Sequence, residues 1–394
     1  MTDRENTKTK IGIFSFFAGA GFLDLGFETT QGFETVFVNE YHKPFMEVYK
    51  ASRKGLKIKE PIYGHNTGDI CAFLEKGKAK TLKENIQDSK KNFDLVGFIG
   101  GPPCPDFSVG GKNKGIKGEN GKLSGTYIEL IVRNQPDFFL FENVKGLYRT
   151  KKHREFFDEV KVKLISNGYY LTEKLINAIE FGAPQDRERI ILIGFKKNVL
   201  TELGMEVNGS PILKNFDWNS KTLYSSKEIL GKKWPTQEKF LENEKRMVPK
   251  GIEKKLTVQY WFDKNDVENH PNAGHYFQPR AGLSKFLSIQ EGDDLKKSYK
   301  RLHRWRYSPT AAYGNNEVHL HPFKPRRISA AEALAIQSLP KNFIIPEHIS
   351  LSNMFKTIGN GVPYLAAKGL AETISVFIES IKSEELKYEE IISK

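Results

Sequence analysis

Cys104 stands in "GGPPCPDFS" and is one of only two cysteines in 394 residues. Pro102, Pro103 and Pro105 fix φ on both sides of it, so the loop is stiff where the thiol sits. A structural cysteine belongs in an apolar run, whereas this one follows the strand-like "DLVGFIGG" in a Gly-Pro loop, as a nucleophile would. Cys71 reads the other way, as structural. Further on, "FFLFENV" delivers Glu142 from an apolar strand, where burial would raise its pKa and suit it to donate to a ring nitrogen. "APQDRERI" places Gln185, Arg187 and Arg189 on one face if extended, and two such guanidiniums need anions or carboxylates to meet.

A second group of residues could hold a nucleotide-like ligand. In "FFAGAGFLDLGFE", Gly19 and Gly21 follow the first strand and open a helix, where glycines admit a ligand to the backbone and the helix terminus offers free N–H groups. Glu40 ends the second strand about twenty residues on, the separation expected of a carboxylate that takes ribose hydroxyls. Asp24 stands where a dinucleotide fingerprint wants its third glycine, which favours an adenosine-containing ligand without phosphates. Asp69 in "TGDI" adds an acceptor.

These residues need a frame. "IGIFSFF", "TVFVNE", "FDLVGFIGG", "DFFLFENV", "YYLTEKLINA" and "RIILIGF" are the length of buried strands, and Gly21 to Thr30 and Ser124 to Arg133 between them have helical spacing. The alternation predicts an α/β fold with an open, doubly wound, mostly parallel sheet. From Val199 to His321 periodicity is weak in either sense and Lys, Asn, Gly and isolated aromatics prevail, which predicts a smaller irregular domain. "RRISAAEALAIQSLP" and "VPYLAAKGLAETISVFIESIK" then read as helices returning to the first domain.

A formal charge of +13 makes a polyanion the natural partner. The stretch "SVGGKNKGIKGENGKLSG", with six glycines and four lysines, reads as a basic loop that closes over nucleic acid. Its Ser108, Lys112 and Lys114 are candidate phosphate contacts. "SYKRLHRWRYSPTAAYGNN" interleaves Arg301, Arg304 and Arg306 with aromatic residues, which suits phosphate and base contacts with a nucleic acid. Neither a signal peptide, a membrane span nor a cysteine-based metal site is expected, and two cysteines fit a reducing, cytoplasmic setting.

"FAGAG", "NEY", "GDI", "GGPPCPDFS", "FENV", "QDRER", "RRISAAEALAIQ" and "GNGVP" occur in an order that resembles the DNA (cytosine-5)-methyltransferases, over residues 11 to about 370. The resemblance implies an S-adenosyl-L-methionine site with Phe17 on the adenine, Glu40 on the ribose and Asp69 on the exocyclic amine. Gly19, Gly21, Tyr41, Ile70, Pro103, Leu123 and Asn360 would complete it. It implies Cys104 as nucleophile, Glu142 acting at cytosine N3, Arg189 holding the base carbonyl, and Arg187 in a more structural role. It divides the chain into a catalytic domain, 1–198 with 322–394, and a target-recognition domain, 199–321. Pro105, where many members carry Gln, and the charge of Asp106 are departures bearing on loop closure.

The implied partner is duplex DNA with the target cytosine flipped out. The setting is a bacterial monomer in the cytoplasm at the nucleoid, beside a restriction endonuclease reading the same site. The rival readings are a tRNA cytosine-5 methyltransferase and a catalytically inactive DNA-binding protein on the same fold.

Overall fold

Ile11 and Ile13 of the first strand pack on one face of a sheet and Phe14 and Phe16 on the other, so apolar residues run unbroken where a strand is covered on both sides. A computed structural model describes residues 8–103, 119–149, 151–205, 207, 209–213, 215–279, 283–296, 298–311, 313 and 318–392, with side chains undescribed at 119–121, 149 and 383–392. Seven strands form the sheet: β1 (Ile11–Phe16), β2 (Phe33–Glu40), β3 (His65–Thr67), β4 (Leu95–Gly100), β5 (Phe138–Val144), β6 (Tyr169–Asn177) and β7 (Glu188–Lys196). Their order is β3-β2-β1-β4-β5-β7-β6. Strands β1 to β5 pair in parallel, and β7 runs antiparallel to β5 and β6.

The expected doubly wound sheet is therefore present. What the sequence did not suggest is β3, too short at three residues to show a period, and the reversed β7 inserted between β5 and β6. The strand order reverses between β1 and β4, and the crevice beyond the carboxyl ends of those strands is where such sheets take ligands. Helix α1 (Phe22–Glu28) follows β1, α2 (Lys43–Leu56) follows β2, α3 (Lys76–Asn92) precedes β4, and α4 (Glu119–Asn134) precedes β5. One face of the sheet is covered by α1 and the long helix Tyr364–Ile392, the other by α3, α4 and the helix Lys151–Ser166. No helix among the described residues is long and apolar enough to cross a membrane.

Among the described residues between 199 and 321 secondary structure is sparse and includes the short helices Ser226–Gly231, Val258–Lys264 and Leu283–Ser288, the single turn Lys254–Leu256 and the two-residue strands Lys300–Arg301 and His319–Leu320. Apolar residues here share cores with flanking elements. Leu213 and Phe216 join the core under β6 and β7, while Val258, Trp261, Phe262 and Leu302 pack with Leu334, Ile336 and Ile358. Glu332 and Ser329 form a reciprocal cap that starts the helix Ala330–Ile336.

Candidate active site and methyl-donor cleft

Phe17, Gly19 and Gly21 all lie in the left-handed region, at φ 55°, 59° and 77°. Glycine adopts that conformation freely, but Phe17 does so only at a cost, the kind of strain that gathers at functional turns. A side chain at Gly19 would point into open space, so the turn leaves room against its backbone. The Gly19 N–H donates to Glu40 Oε2 at 2.8 Å and the His42 N–H to Glu40 Oε1 at 2.7 Å, which fixes the carboxylate at the end of β2. Burial raises the Glu40 pKa, and those backbone donors oppose the rise.

Glu40 is paired with Thr67 in β3, which sets Asp69 two residues beyond the same edge. Asp69 is exposed; its Oδ1 accepts the Cys71 N–H at 2.9 Å and caps the turn Ile70–Leu74. Phe17 and Leu123 of α4 pack on the same core, and Phe17 meets the Tyr127 ring edge-on. Ile70 is buried there too, and Tyr41 is 73% exposed. Pro103 is exposed at the last described position after β4. Asn360 is exposed at the end of the helix Leu351–Asn360, whose terminus is held by Gln337 and by Arg187, which donates to the Gly359 carbonyl at 2.8 Å. The structure thus gathers Phe17, Gly19, Glu40, Asp69 and Ile70 along the carboxyl ends of β1, β2 and β3.

Glu142 stands opposite Ile191, and Arg189 opposite Val144, so the two side chains are diagonal neighbours on one face of the β5–β7 pair. Their separation is 2.9 Å, from Arg189 Nε to Glu142 Oε1. Burial pushes the Glu142 carboxyl up, and Arg189 and then Arg187 pull it back. Gly101, just past β4, has no room for a side chain, because a Cβ there would lie 2.5 Å from Glu142 Oε2. The second glycine of "IGGPP" is thereby explained by the carboxylate it touches.

Gln185 and Arg187 precede β7, and the Arg187 charge, like that of Arg189, lowers the Glu142 pKa. Arg187 is buried and donates to the carbonyls of Ala311 and Gly359, while Gln185 bonds Gln337 and the Ala311 N–H. Arg187 thereby ties the returning chain to the sheet.

Cys104, Ser108, Lys112 and Lys114 lie outside the described residues. The expectation for Arg301 and Arg304 is corrected by burial. Arg301 is fully buried and donates to the carbonyls of Phe286, Ile289, His321 and Lys324. Arg304, 2% exposed, pairs with fully buried Glu291 at 2.8 Å. Neither reaches DNA without dismantling its surroundings. Arg306 is held by Asp294.

Sequence reasoning missed a buried set beneath the glycine turn: Asp24, Glu28, Tyr49 and Arg53. The signal was an arginine spaced four residues from a tyrosine on α2, which is common on any helix.

Residues 11–376 match the family model described as C-5 cytosine-specific DNA methylase. The chain is 61% identical to the Type II methyltransferase M.NmeDI of Neisseria meningitidis serogroup C, covering 95% of this chain and 85% of that protein. It is 29% identical to the Type II methyltransferase M.FnuDI of Fusobacterium nucleatum, covering 92% and 95%. Among solved structures, Spodoptera frugiperda DNMT2 superposes with a TM-score of 0.57 at 16% identity, over 92% of this chain and 99% of that one, a likeness of fold.

Proposed function

Since the chain belongs to the C-5 cytosine-specific DNA methylase family and is a DNA cytosine-5 methyltransferase, we propose that its chemistry runs through Cys104, Glu142 and Arg189. Carbon 5 of cytosine is too weak a nucleophile to take a methyl group unaided. Addition of the Cys104 thiolate at C6, with Glu142 giving its proton or a hydrogen bond to N3, converts the ring to an enamine nucleophilic at C5. After the methyl group is on C5, loss of the C5 proton expels the thiolate and restores the ring.

The observation that carries this reading is the Glu142–Arg189 contact. Burial shifts the Glu142 carboxyl upward, the direction that favours donation to N3, and the guanidinium beside it supports the carboxylate charge once a proton has moved. The open face of Gly19, the Glu40 carboxylate fixed by two amides and the exposed Asp69 fit an adenosine moiety, with Phe17, Gly21, Tyr41, Ile70, Pro103, Leu123 and Asn360 around it. S-adenosyl-L-methionine bound there supplies the methyl group.

The target cytosine must leave the duplex to meet these groups, and we assign base contacts to the 199–321 segment and closure to the basic loop with Ser108, Lys112 and Lys114. The Type II relatives support a modification role beside a restriction endonuclease of the same specificity. In this reading the enzyme works as a monomer in a bacterial cytoplasm. Bisulfite sequencing of DNA from cells producing the protein tests it. Protected cytosines in one recurring sequence are expected, and DNA left unmethylated while tRNA gains the methyl group would contradict the assignment.

A further inference from the structure

Arg53 of α2 lies directly beneath the glycine turn, 2% exposed. Its Nη2 donates to the Gly21 carbonyl at 2.6 Å and its Nη1 to the Ala20 carbonyl at 3.3 Å and to Ser52 Oγ at 3.2 Å. Its Nε donates to Glu28 Oε2 at 2.9 Å, and the Tyr49 ring lies 4.1 Å from the guanidinium. The Tyr49 hydroxyl donates to Glu28 Oε1 at 3.0 Å. Asp24, 1% exposed, shares this pocket; burial and Glu28 push its carboxyl up to about 7 while Arg53 pulls it down.

A buried ion pair is a poor device for stability alone, because apolar residues of similar volume usually serve as well. What apolar residues cannot do is bind the two turn carbonyls. The turn is gripped on opposite sides: the Gly19 amide by Glu40, and the Ala20 and Gly21 carbonyls by Arg53. A planar fork is suited to this, since one guanidinium reaches two carbonyls and a carboxylate together. Gly21 is close enough that a Cβ would lie 2.5 Å from Arg53 Nη2, so turn and guanidinium are in direct contact.

We propose that Arg53 is a positioning residue for the methyl donor, holding the Phe17–Gly21 turn in its binding conformation through the Ala20 and Gly21 carbonyls, with Glu28 and Tyr49 orienting its guanidinium. The inference rests on the turn being the methyl-donor site. Pre-forming a strained turn removes its ordering from the cost of binding.

The test is calorimetric titration of S-adenosyl-L-methionine into wild type, Arg53→Lys and the double variant Arg53→Met/Glu28→Met, with steady-state kinetics and DNA binding alongside. Lysine keeps the charge beside Glu28 but lacks the fork, and the double variant removes both charges at once. Each folded variant is expected to bind the methyl donor roughly tenfold more weakly, the size of a lost charged hydrogen bond. KM for the donor should rise by the same factor, with kcat at saturation and duplex-DNA affinity within about twofold of wild type. Donor affinity like wild type in either folded variant overturns the proposal, as does failure of both to fold, which would make Arg53 purely structural. A wild-type protein that binds no S-adenosyl-L-methionine would instead overturn the site assignment.

Discussion

Arg189 Nε and Glu142 Oε1 meet at 2.9 Å across an antiparallel strand pair, and Gly101 closes the other side of the same carboxylate. Three segments distant in sequence thereby converge on one carboxyl group. Replacing Glu142 by Gln keeps its volume and removes its acid function. Single-turnover methylation should slow by roughly 10²- to 10⁴-fold, the range for a lost general acid. Affinity for the methyl donor should be unchanged in the same preparation.

Gly101→Ala is a sharper probe, since it alters no chemical group. The added methyl would lie 2.5 Å from Glu142 Oε2, so the carboxylate must swing or β4 must shift. A fall in kcat of at least about tenfold is expected, as misplacing a reacting group by an ångström can cost more. Unchanged kcat would show that the carboxylate has free room.

Arg304→Ala should act on stability and not on DNA contacts. It leaves fully buried Glu291 only Arg246 at 3.5 Å as a cation, and losing one partner of a buried pair costs up to about 3–5 kcal/mol. Denaturant titration should show that loss. The salt dependence of DNA binding by the fraction that remains folded should keep its slope, because no phosphate contact disappears.

Acid should weaken the fold through buried histidines. Burial pushes His303 down to about 4 and His319 down to about 3, and holds His321 well below the ordinary 6.5. Their folded forms are neutral while the unfolded chain takes up protons below 6.5, so stability is complete above that pH and declines as pH falls toward 4. Thermal unfolding measured from pH 7.5 to 4.5 should show a falling midpoint. Replacing His319 by Phe should make that decline shallower.

The catalytic sheet was legible because buried parallel strands leave continuous apolar runs, and the glycine turn because its residues are local in sequence. Glu40 could be placed from spacing alone, and it bonds Gly19 directly. The Glu142–Arg189 contact was not legible. It depends on β7 entering the sheet antiparallel beside β5, a choice of strand order that no local pattern encodes. Arg301 and Arg304 misled for a related reason. A basic, aromatic string is the same string whether it faces solvent or closes on Glu291 and a ring of carbonyls, and only the fold brings those acceptors to it.

Attack of Cys104 on the base leaves a bond that covalent trapping can capture. Duplex DNA bearing 5-fluorocytosine at the target position cannot lose its C5 substituent after methyl transfer, so the thioether to the enzyme persists. Incubated with S-adenosyl-L-methionine, the wild-type protein should form a denaturation-resistant adduct and Cys104→Ser none. An adduct of equal yield on Cys104→Ser would place the nucleophile on another residue.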